Sequence, residues 1–211
     1  MAERFDDKKE EGEKDSKEPS QVMIPSDLRM LALYGEVEES KSLHAIGYLI
    51  DYSDTKVLIP REEGNPDSEM IEAIMPIEML ISTPGGSADD MFAIYDVMRV
   101  VREKCDIVTY GIGKVMSAGV LLLAAGTKGQ RKIGKHCRVM IHSVVAGSAG
   151  SFHNLENEMS EIRNTQDAYI RALAKETNMT PSKIRRLVDK KVNVYLSAEE
   201  AVELGIADII V

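Results

Sequence analysis

Residues 77–104 read IEMLISTPGGSADDMFAIYDVMRVVREK, and this stretch indicates the fold. The apolar run at 77–82 is typical of a buried strand, and the two glycines that follow mark a tight turn. From Ser87 onward the apolar residues recur at helical spacing, and Ser87 with the two aspartates after it suits a helix N-terminus. A strand, a turn and a helix in this order form one unit of an α/β fold.

The same alternation of strand and helix continues on both sides of this unit. We therefore predict an α/β protein with a largely parallel sheet. The further predicted elements are strands at 30–35, 106–111 and 137–142 and helices at 39–52 and 117–126.

The composition restricts the class of protein. The chain has 211 residues, of which 44 % are hydrophobic, and a formal net charge of -9 at pH 7. This acidic balance argues against general binding to nucleic acid or to anionic membranes, since both favour basic surfaces. The longest apolar run, at 115–125, is far shorter than the ~20 residues of a membrane-spanning helix. With two cysteines and no visible signal peptide, the sequence predicts a soluble, cytoplasmic protein.

Two segments stand apart from the predicted sheet. Residues 1–22 are almost entirely polar, and we expect them to form a flexible acidic tail before a single domain at 23–211. Residues 152–178 predict a long polar helix whose apolar positions form only a narrow stripe. A helix of this kind often projects, so we expect it to pack against a partner chain.

Three predicted strand ends carry residues that suit nucleophilic catalysis. Ser117 opens a helix, where its Oγ is exposed and the N–H of Ala118 is unpaired. His142 ends a strand and is a candidate base, and Gly85 and Gly86 can aim a backbone N–H at a carbonyl group. Because the carboxyl ends of parallel strands meet at one edge, the topology brings these groups together. Taken singly, each feature has an ordinary explanation as a helix cap, a surface histidine or a turn.

Four stretches of the sequence resemble one family of proteases. They read ISTPGGSADDMFAIYDVM, GKVMSAGVLLLAAGTKGQR, RVMIHS and YLSAEEAVELGIAD, and they resemble the proteolytic subunits of the ATP-dependent Clp protease in the same order. The spacing of 25 residues between Ser117 and His142 also matches that family. The resemblance implies a serine endopeptidase with Ser117 as nucleophile and His142 as general base. It implies an oxyanion hole formed by the backbone N–H groups of Gly86 and Ala118.

The resemblance also implies a fold and an assembly. The family has a crotonase-like head, a repeated ββα spiral, and a protruding handle of one strand and one long helix, which here corresponds to about 144–178. Two heptameric rings stack through these handles, and an ATP-dependent Clp-type AAA+ unfoldase feeds unfolded proteins into the chamber. We expect either a homo-oligomer or a ring mixed with paralogues, in the cytoplasm or, in a plant or alga, the plastid stroma. The chain has no P-loop and no spaced set of metal ligands, so we expect neither ATP nor a metal as its own cofactor.

One departure from the family concerns the third member of the catalytic triad. Where the family has an aspartate, four positions before Ser197, this chain has Asn193. Three interpretations remain open. Asn193 orients the imidazole through its carbonyl oxygen without supplying charge, Asp189 takes the place of the missing acid, or the site is degenerate. In a serine-protease triad the change from Asp to Asn cost about 10⁴-fold in turnover.

The remaining family positions concern the docking of the unfoldase. Tyr95 matches a tyrosine of the apolar docking pocket, whereas Lys132 stands where an aromatic residue is usual.

Two alternatives to an active protease follow from the sequence. The first is a structural, weakly active or inactive ring subunit of the ClpR type, in which Asn193 replaces the acid. The second is a crotonase-type enzyme acting on acyl thioesters, since that fold also uses paired backbone N–H groups; the pairing of Ser117 with His142 argues against it.

Overall fold

The structure, a computed structural model, describes residues 29–211 except 63, 66 and 191. The predicted tail at 1–22 lies outside the described residues. The strands are β1 (Met30–Tyr34), β2 (Val57–Pro60), β3 (Met70–Ala73), β4 (Ile77–Thr83), β5 (Ile107–Met116), β6 (Lys132–Ile133), β7 (Arg138–Ile141), β8 (Val194–Leu196) and β9 (Ile209–Ile210). The helices are α1 (Glu39–Asp54), α2 (Ala88–Val101), α3 (Ala118–Ala124), α4 (Phe152–Glu176), α5 (Pro181–Val188) and α6 (Ala198–Glu203).

A largely parallel sheet organises the described residues, as the sequence predicts. The main path of the sheet runs β1-β4-β5-β6-β9, and all of these neighbours are parallel. β2 and β3 form a separate antiparallel hairpin. The chain is therefore a mixed α/β protein, in agreement with the predicted class.

Strand β5 connects the main path of the sheet with the pair formed by β7 and β8. Its first half pairs with β4 and β6, and its second half pairs with β7 through Lys114–Met116. β7 in turn pairs with β8, which runs antiparallel to it. The carboxyl ends of β4, β5 and β7 consequently lie side by side, and the functional site is built there.

The helices pack on the sheet and enclose a largely aliphatic core. α3 is buried over its whole length, and Ser87 caps α2 by accepting a hydrogen bond from the Asp90 N–H at 3.2 Å. α1 forms at the predicted place. Its buried positions are Ser42, Ala45, Leu49 and Ser53, whereas Leu43 is 70 % exposed and Ile50 is 51 % exposed. Three of the four buried side chains are small, which lets α1 pack closely on α2 and β1.

Helix α4 is packed at one end only. From Phe152 to Asn164, two residues are half-buried and the others are exposed, whereas its buried residues lie between Tyr169 and Glu176. The handle strand that the family resemblance implies from about Val144 stays a prediction. No strand is described between His142 and Ser151, and the Val144 N–H donates to Oε1 of Gln166 at 3.3 Å instead. A strand needs a neighbour with which to exchange backbone hydrogen bonds, and no described strand lies beside this segment.

Two helices near the C-terminal end begin with side-chain caps. Thr180 caps α5 with Pro181 in its first turn, and Ser197 forms a reciprocal capping box with Glu200 at the start of α6. None of the described helices combines the length and the apolar character that crossing a membrane requires.

Candidate active site

A pocket of about 300 Å³ opens where β4, β5 and β7 end. It brings together the four residues that the sequence nominates for nucleophilic chemistry and oxyanion binding: Ser117, His142, Gly86 and Ala118. Its remaining lining comes from the start of α2, the segment after β7 and one face of α4. These further residues are Pro84, Ser87, Ala88, Met91, Ser143, Val144, Val145, Thr165 and Tyr169.

Ser117 occupies a strained turn between β5 and α3. Its φ is 54° and its ψ is −117°, and within the described chain it is the one non-glycine residue with a positive φ. The position is the helix N-cap that the sequence predicts, but the side chain makes no capping hydrogen bond. A strand-to-helix turn of this kind presents a serine Oγ outward, and such strain clusters at functional sites. The Ser117 hydroxyl is thus free for chemistry rather than used for capping.

Two glycines make room for this turn. A Cβ on Gly85 would lie 2.5 Å from the Cβ of Ser117 and 3.0 Å from its Oγ. A Cβ on Gly119 would lie 2.4 Å from Cγ2 of Thr83, which ends the neighbouring strand β4. The turn and the end of β4 therefore approach each other at distances that side chains would forbid.

Two backbone N–H groups at the pocket are candidate oxyanion donors. Gly86 forms a parallel bridge with Val37, in which Val37 bonds to the residues on either side of Gly86. This pattern turns the Gly86 N–H away from Val37, and the Ala118 N–H belongs to the unpaired first turn of α3. Within the described part of the chain, neither N–H donates to a protein acceptor. Both donors belong to residues that line the pocket.

His142 follows β7 directly and is half-buried. The backbone N–H of Ser117 donates to the carbonyl oxygen of Met140 at 2.8 Å, so the turn is joined to β7 two residues before His142. Among the described contacts, no hydrogen bond joins Ser117 Oγ to the His142 ring. Catalytic hydrogen bonds often tighten only when substrate binds, so this does not remove His142 as a candidate base.

The register of β7 and β8 leads from the sheet toward His142 and Asn193. The two strands pair antiparallel with Ile141 opposite Val194 as the last pair, and His142 and Asn193 are the residues that directly adjoin this pair. Asn193 is exposed and does not line the pocket. Asp189 is the exposed C-cap of α5, before the residues that lead into β8.

Two pocket residues were not foreseen as site residues. Thr165 and Tyr169 lie one turn apart on α4, and the Tyr169 hydroxyl donates to the carbonyl oxygen of Ser117 at 3.3 Å. The sequence indicates Tyr169 only as part of an apolar stripe, and no local signal connects it with a residue 52 positions earlier.

Tyr95 is buried within the described chain, and its expected place in a docking pocket between subunits stays a prediction. It is 4 % exposed, and its hydroxyl donates to Oε1 of Glu176 at 2.9 Å. Burial and the neighbouring Glu176 carboxylate raise the pKa of Tyr95. Lys132 stays half-exposed and stacks over the ring of Tyr110, with Nζ 4.8 Å from the ring centroid.

The described residues contain no group of three or more histidine, cysteine or acidic side chains arranged to hold a metal ion. The geometry around Ser117 instead offers a hydroxyl, an imidazole and two backbone donors. This set of groups can perform acyl transfer by nucleophilic attack.

Known proteins resemble this chain over the part that contains the pocket. The family model described as "Clp protease" matches residues 68–211. The chain is 38 % identical over 135 residues to ATP-dependent Clp protease proteolytic subunit 4 of Rhodococcus jostii (strain RHA1), covering 64 % of this chain and 68 % of that protein. It is 39 % identical over 143 residues to ATP-dependent Clp protease proteolytic subunit 2 of Prochlorococcus marinus (strain NATL2A), covering 67 % of this chain and 68 % of that protein.

Proposed function

Because this chain belongs to the Clp protease family, and is thus a peptidase subunit by family, we propose that it is a serine endopeptidase that cuts unfolded polypeptides into short peptides. The observation that carries this proposal is the turn at Ser117. A serine held at positive φ, with an uncommitted hydroxyl, lies in one pocket with a histidine and two unpaired backbone donors. A serine that served only as a helix cap would not need this conformation.

The proposed first step is acylation of the enzyme. His142 accepts the Ser117 proton while Oγ attacks the peptide carbonyl carbon, and a tetrahedral intermediate forms. The protonated imidazole then gives its proton to the leaving amine, and the C–N bond breaks. Water then attacks the acyl-enzyme by the same two proton transfers through His142. This step releases the acid product and restores the Ser117 hydroxyl.

The N–H groups of Gly86 and Ala118 are proposed to stabilise the oxyanion in both halves of the reaction. They belong to different elements, the turn after β4 and the first turn of α3, which the glycine contacts hold together. Preorganised donors cost no reorganisation when the charge develops, and losing one such donor typically costs about 10²–10³ in turnover.

The substrate is proposed to lie along the segment after His142. Ser143, Val144 and Val145 line the pocket, and glycines follow at 147 and 150. No described strand pairs with this segment, so an extended peptide can add to its backbone as a strand. Recognition through the backbone is compatible with cleavage of many unfolded sequences.

Asn193 is proposed to orient the imidazole of His142. The register of β7 and β8 supports Asn193 rather than Asp189, because Asn193 and His142 directly adjoin the last pair of these strands. An amide fixes the orientation of the ring but does not stabilise the imidazolium by charge. We therefore expect reduced turnover rather than no turnover.

The assembly is proposed to consist of two stacked heptameric rings, with a Clp-type AAA+ unfoldase as partner. The exposed half of α4 supports this, since the apolar side chains of Phe152 and Met159 are exposed within the described chain. We place the complex in the cytoplasm or the plastid stroma. The free, buried Cys105 and Cys137 suit such a reducing compartment.

The test is labelling with a fluorophosphonate probe and cleavage of a short fluorogenic peptide by the purified full chain. We expect wild type to be labelled at Ser117, and both Ser117→Ala and His142→Ala to lose labelling and peptidase activity. Peptide cleavage that survives in Ser117→Ala would contradict the proposal.

Asn193 favours one second candidate, an inactive structural ring subunit of the ClpR type. An assembled ring that the probe does not label, and that cuts no peptide, would support that candidate. Hydrolysis of acyl thioesters without labelling of Ser117 would instead support a crotonase-type enzyme.

A further inference from the structure

The carbonyl group of Ser117 is held from two sides. The Val120 N–H donates to it at 3.0 Å within the first turn of α3, and the Tyr169 hydroxyl donates to it at 3.3 Å from α4. The first bond belongs to the helix, but the second comes from a different element of the fold. Tyr169 therefore acts on the one non-glycine residue in the described chain that has a positive φ.

Tyr169 is itself firmly placed. It is 5 % exposed, and the buried neighbours Ile170 and Leu173 fix the same part of α4 in the core. One turn further, Glu176 pairs with Arg102 at 2.9 Å and anchors the end of the helix to α2. Burial raises the pKa of Tyr169, so its hydroxyl stays protonated and able to donate.

The strained turn needs such a restraint. A non-glycine residue in a sparsely populated backbone region costs about 1–3 kcal/mol and persists only when the surroundings hold it there. The N–H of Ser117 is tied to Met140, and its carbonyl to Val120 and Tyr169. Without the Tyr169 hydroxyl, the carbonyl keeps only the bond from its own helix, and that bond does not fix the turn relative to α4.

We propose that Tyr169 is a positioning residue, which holds the backbone of Ser117 in the conformation that presents Oγ to the pocket. This rests on the proposed function of Ser117 as the nucleophile. The neighbouring Gln166 accepts a hydrogen bond from the Val144 N–H, so one turn of α4 contacts both the nucleophile turn and the substrate segment.

The test compares Tyr169→Phe with Ser53→Ala in the full chain. Both substitutions remove one buried hydroxyl that donates to a backbone carbonyl, but Ser53 donates to Ile50 within α1 and does not line the pocket. One hydrogen bond of ordinary strength corresponds to a rate factor of about three to ten. We expect Tyr169→Phe to lower kcat on a short peptide by this factor with KM unchanged, and Ser53→Ala to leave both unchanged.

A second measurement does not depend on activity. Hydrogen–deuterium exchange of the amides at 113–123 is expected to be faster in Tyr169→Phe than in wild type, and unchanged in Ser53→Ala. The proposal is overturned if Tyr169→Phe keeps the wild-type kcat, if Ser53→Ala loses as much, or if exchange at 113–123 does not change. An inactive, unlabelled wild type overturns the proposed function, and the exchange experiment then decides the positioning role alone.

Discussion

Gly85 lies so close to Ser117 that a Cβ on Gly85 would fall 2.5 Å from the Cβ of Ser117. The turn after β4 and the turn after β5 are far apart in the sequence. They are nevertheless in close contact at the pocket. The contact places the Gly86 donor beside the nucleophile turn, and it has no room for any side chain at position 85.

Replacement of Gly85 by alanine is expected to abolish peptide cleavage and to lower the thermal midpoint. Gly129→Ala is the matched control: Gly129 also has a positive φ, of 87°, but nothing lies within 4 Å of its Cβ position. It carries the backbone penalty of about 1 kcal/mol without the clash. An equal loss of activity in the two variants would contradict the contact described here.

Asn193→Asp is expected to raise kcat on a short peptide at least about tenfold, because a carboxylate beside His142 stabilises the imidazolium that forms during attack. Asn193→Ala, which removes the orienting group, is expected to lower kcat. Asp189→Ala tests whether Asp189, rather than Asn193, orients the imidazole of His142. A collapse of activity in Asp189→Ala, together with no gain in Asn193→Asp, would assign the orienting role to Asp189.

Acid is expected to weaken the anchor of α4. Burial opposes ionisation of Glu176, but hydrogen bonds from Arg102 and Tyr95 and the charge of Arg102 outweigh it and hold the pKa of Glu176 below its usual range. A lowered carboxyl pKa stabilises the fold above the unfolded pKa, so this stability is lost as the pH falls below about 4.5.

The measurement is the free energy of unfolding as a function of pH, for wild type and Glu176→Gln. The variant is expected to be less stable at pH 7 by roughly 1.5–3 kcal/mol, the worth of hydrogen bonds to a charged group, and less sensitive to acid. Glu103→Gln, at an exposed position near Arg102, is the control and is expected to behave as wild type. Equal acid sensitivity of Glu176→Gln and wild type would be inconsistent with this assignment.

The apolar stripe on the exposed half of α4 is expected to carry the contact between rings. Phe152 is 69 % exposed and Met159 is 51 % exposed, and together with Leu155 and Ile162 they recur at helical spacing. Met159→Glu is expected to shift the assembly to single rings or smaller species in sedimentation velocity. Asn157→Glu adds the same charge on the opposite side of the helix and should leave the assembly intact. Dissociation by both variants alike would argue against a specific stripe.

Cys137 is expected to resist alkylation in the folded chain. Burial raises the pKa of its thiol to about 11, because the thiolate is costly away from water. At pH 8 iodoacetamide should therefore leave Cys137 unmodified in the native protein and modify it after unfolding in guanidinium, as read by mass spectrometry. Modification of native Cys137 at the rate of a free thiol would contradict its burial.

Elements governed by nearby residues were predictable from the sequence. The strand, turn and helix at 77–101 form where the apolar pattern and Ser87 indicate. The caps at Thr180 and Ser197 likewise join residues only three positions apart. The position of Ser117 and His142 in one pocket was predictable too. Parallel strands bring their carboxyl ends to one edge of the sheet, and the family resemblance indicated which residues at these ends belong together.

The contacts of long side chains and the burial of helix faces were not predictable in this way. In α1 the apolar residues Leu43 and Ile50 are exposed, whereas Leu49 is buried together with the small residues Ser42, Ala45 and Ser53. The hydrogen bond from the Tyr95 hydroxyl to Glu176 joins residues 81 positions apart, and no local signal in the sequence indicates it.

The sequence by itself thus determined the order of the elements, their caps and the identity of the groups at the pocket, because these depend on periodicity and on residues a few positions apart. Only the tertiary structure decided the strained conformation of Ser117, its contact with Gly85 and its bond to Tyr169. These features depend on the packing of residues separated by 32 and 52 positions, where a difference of one ångström decides between a contact and a clash.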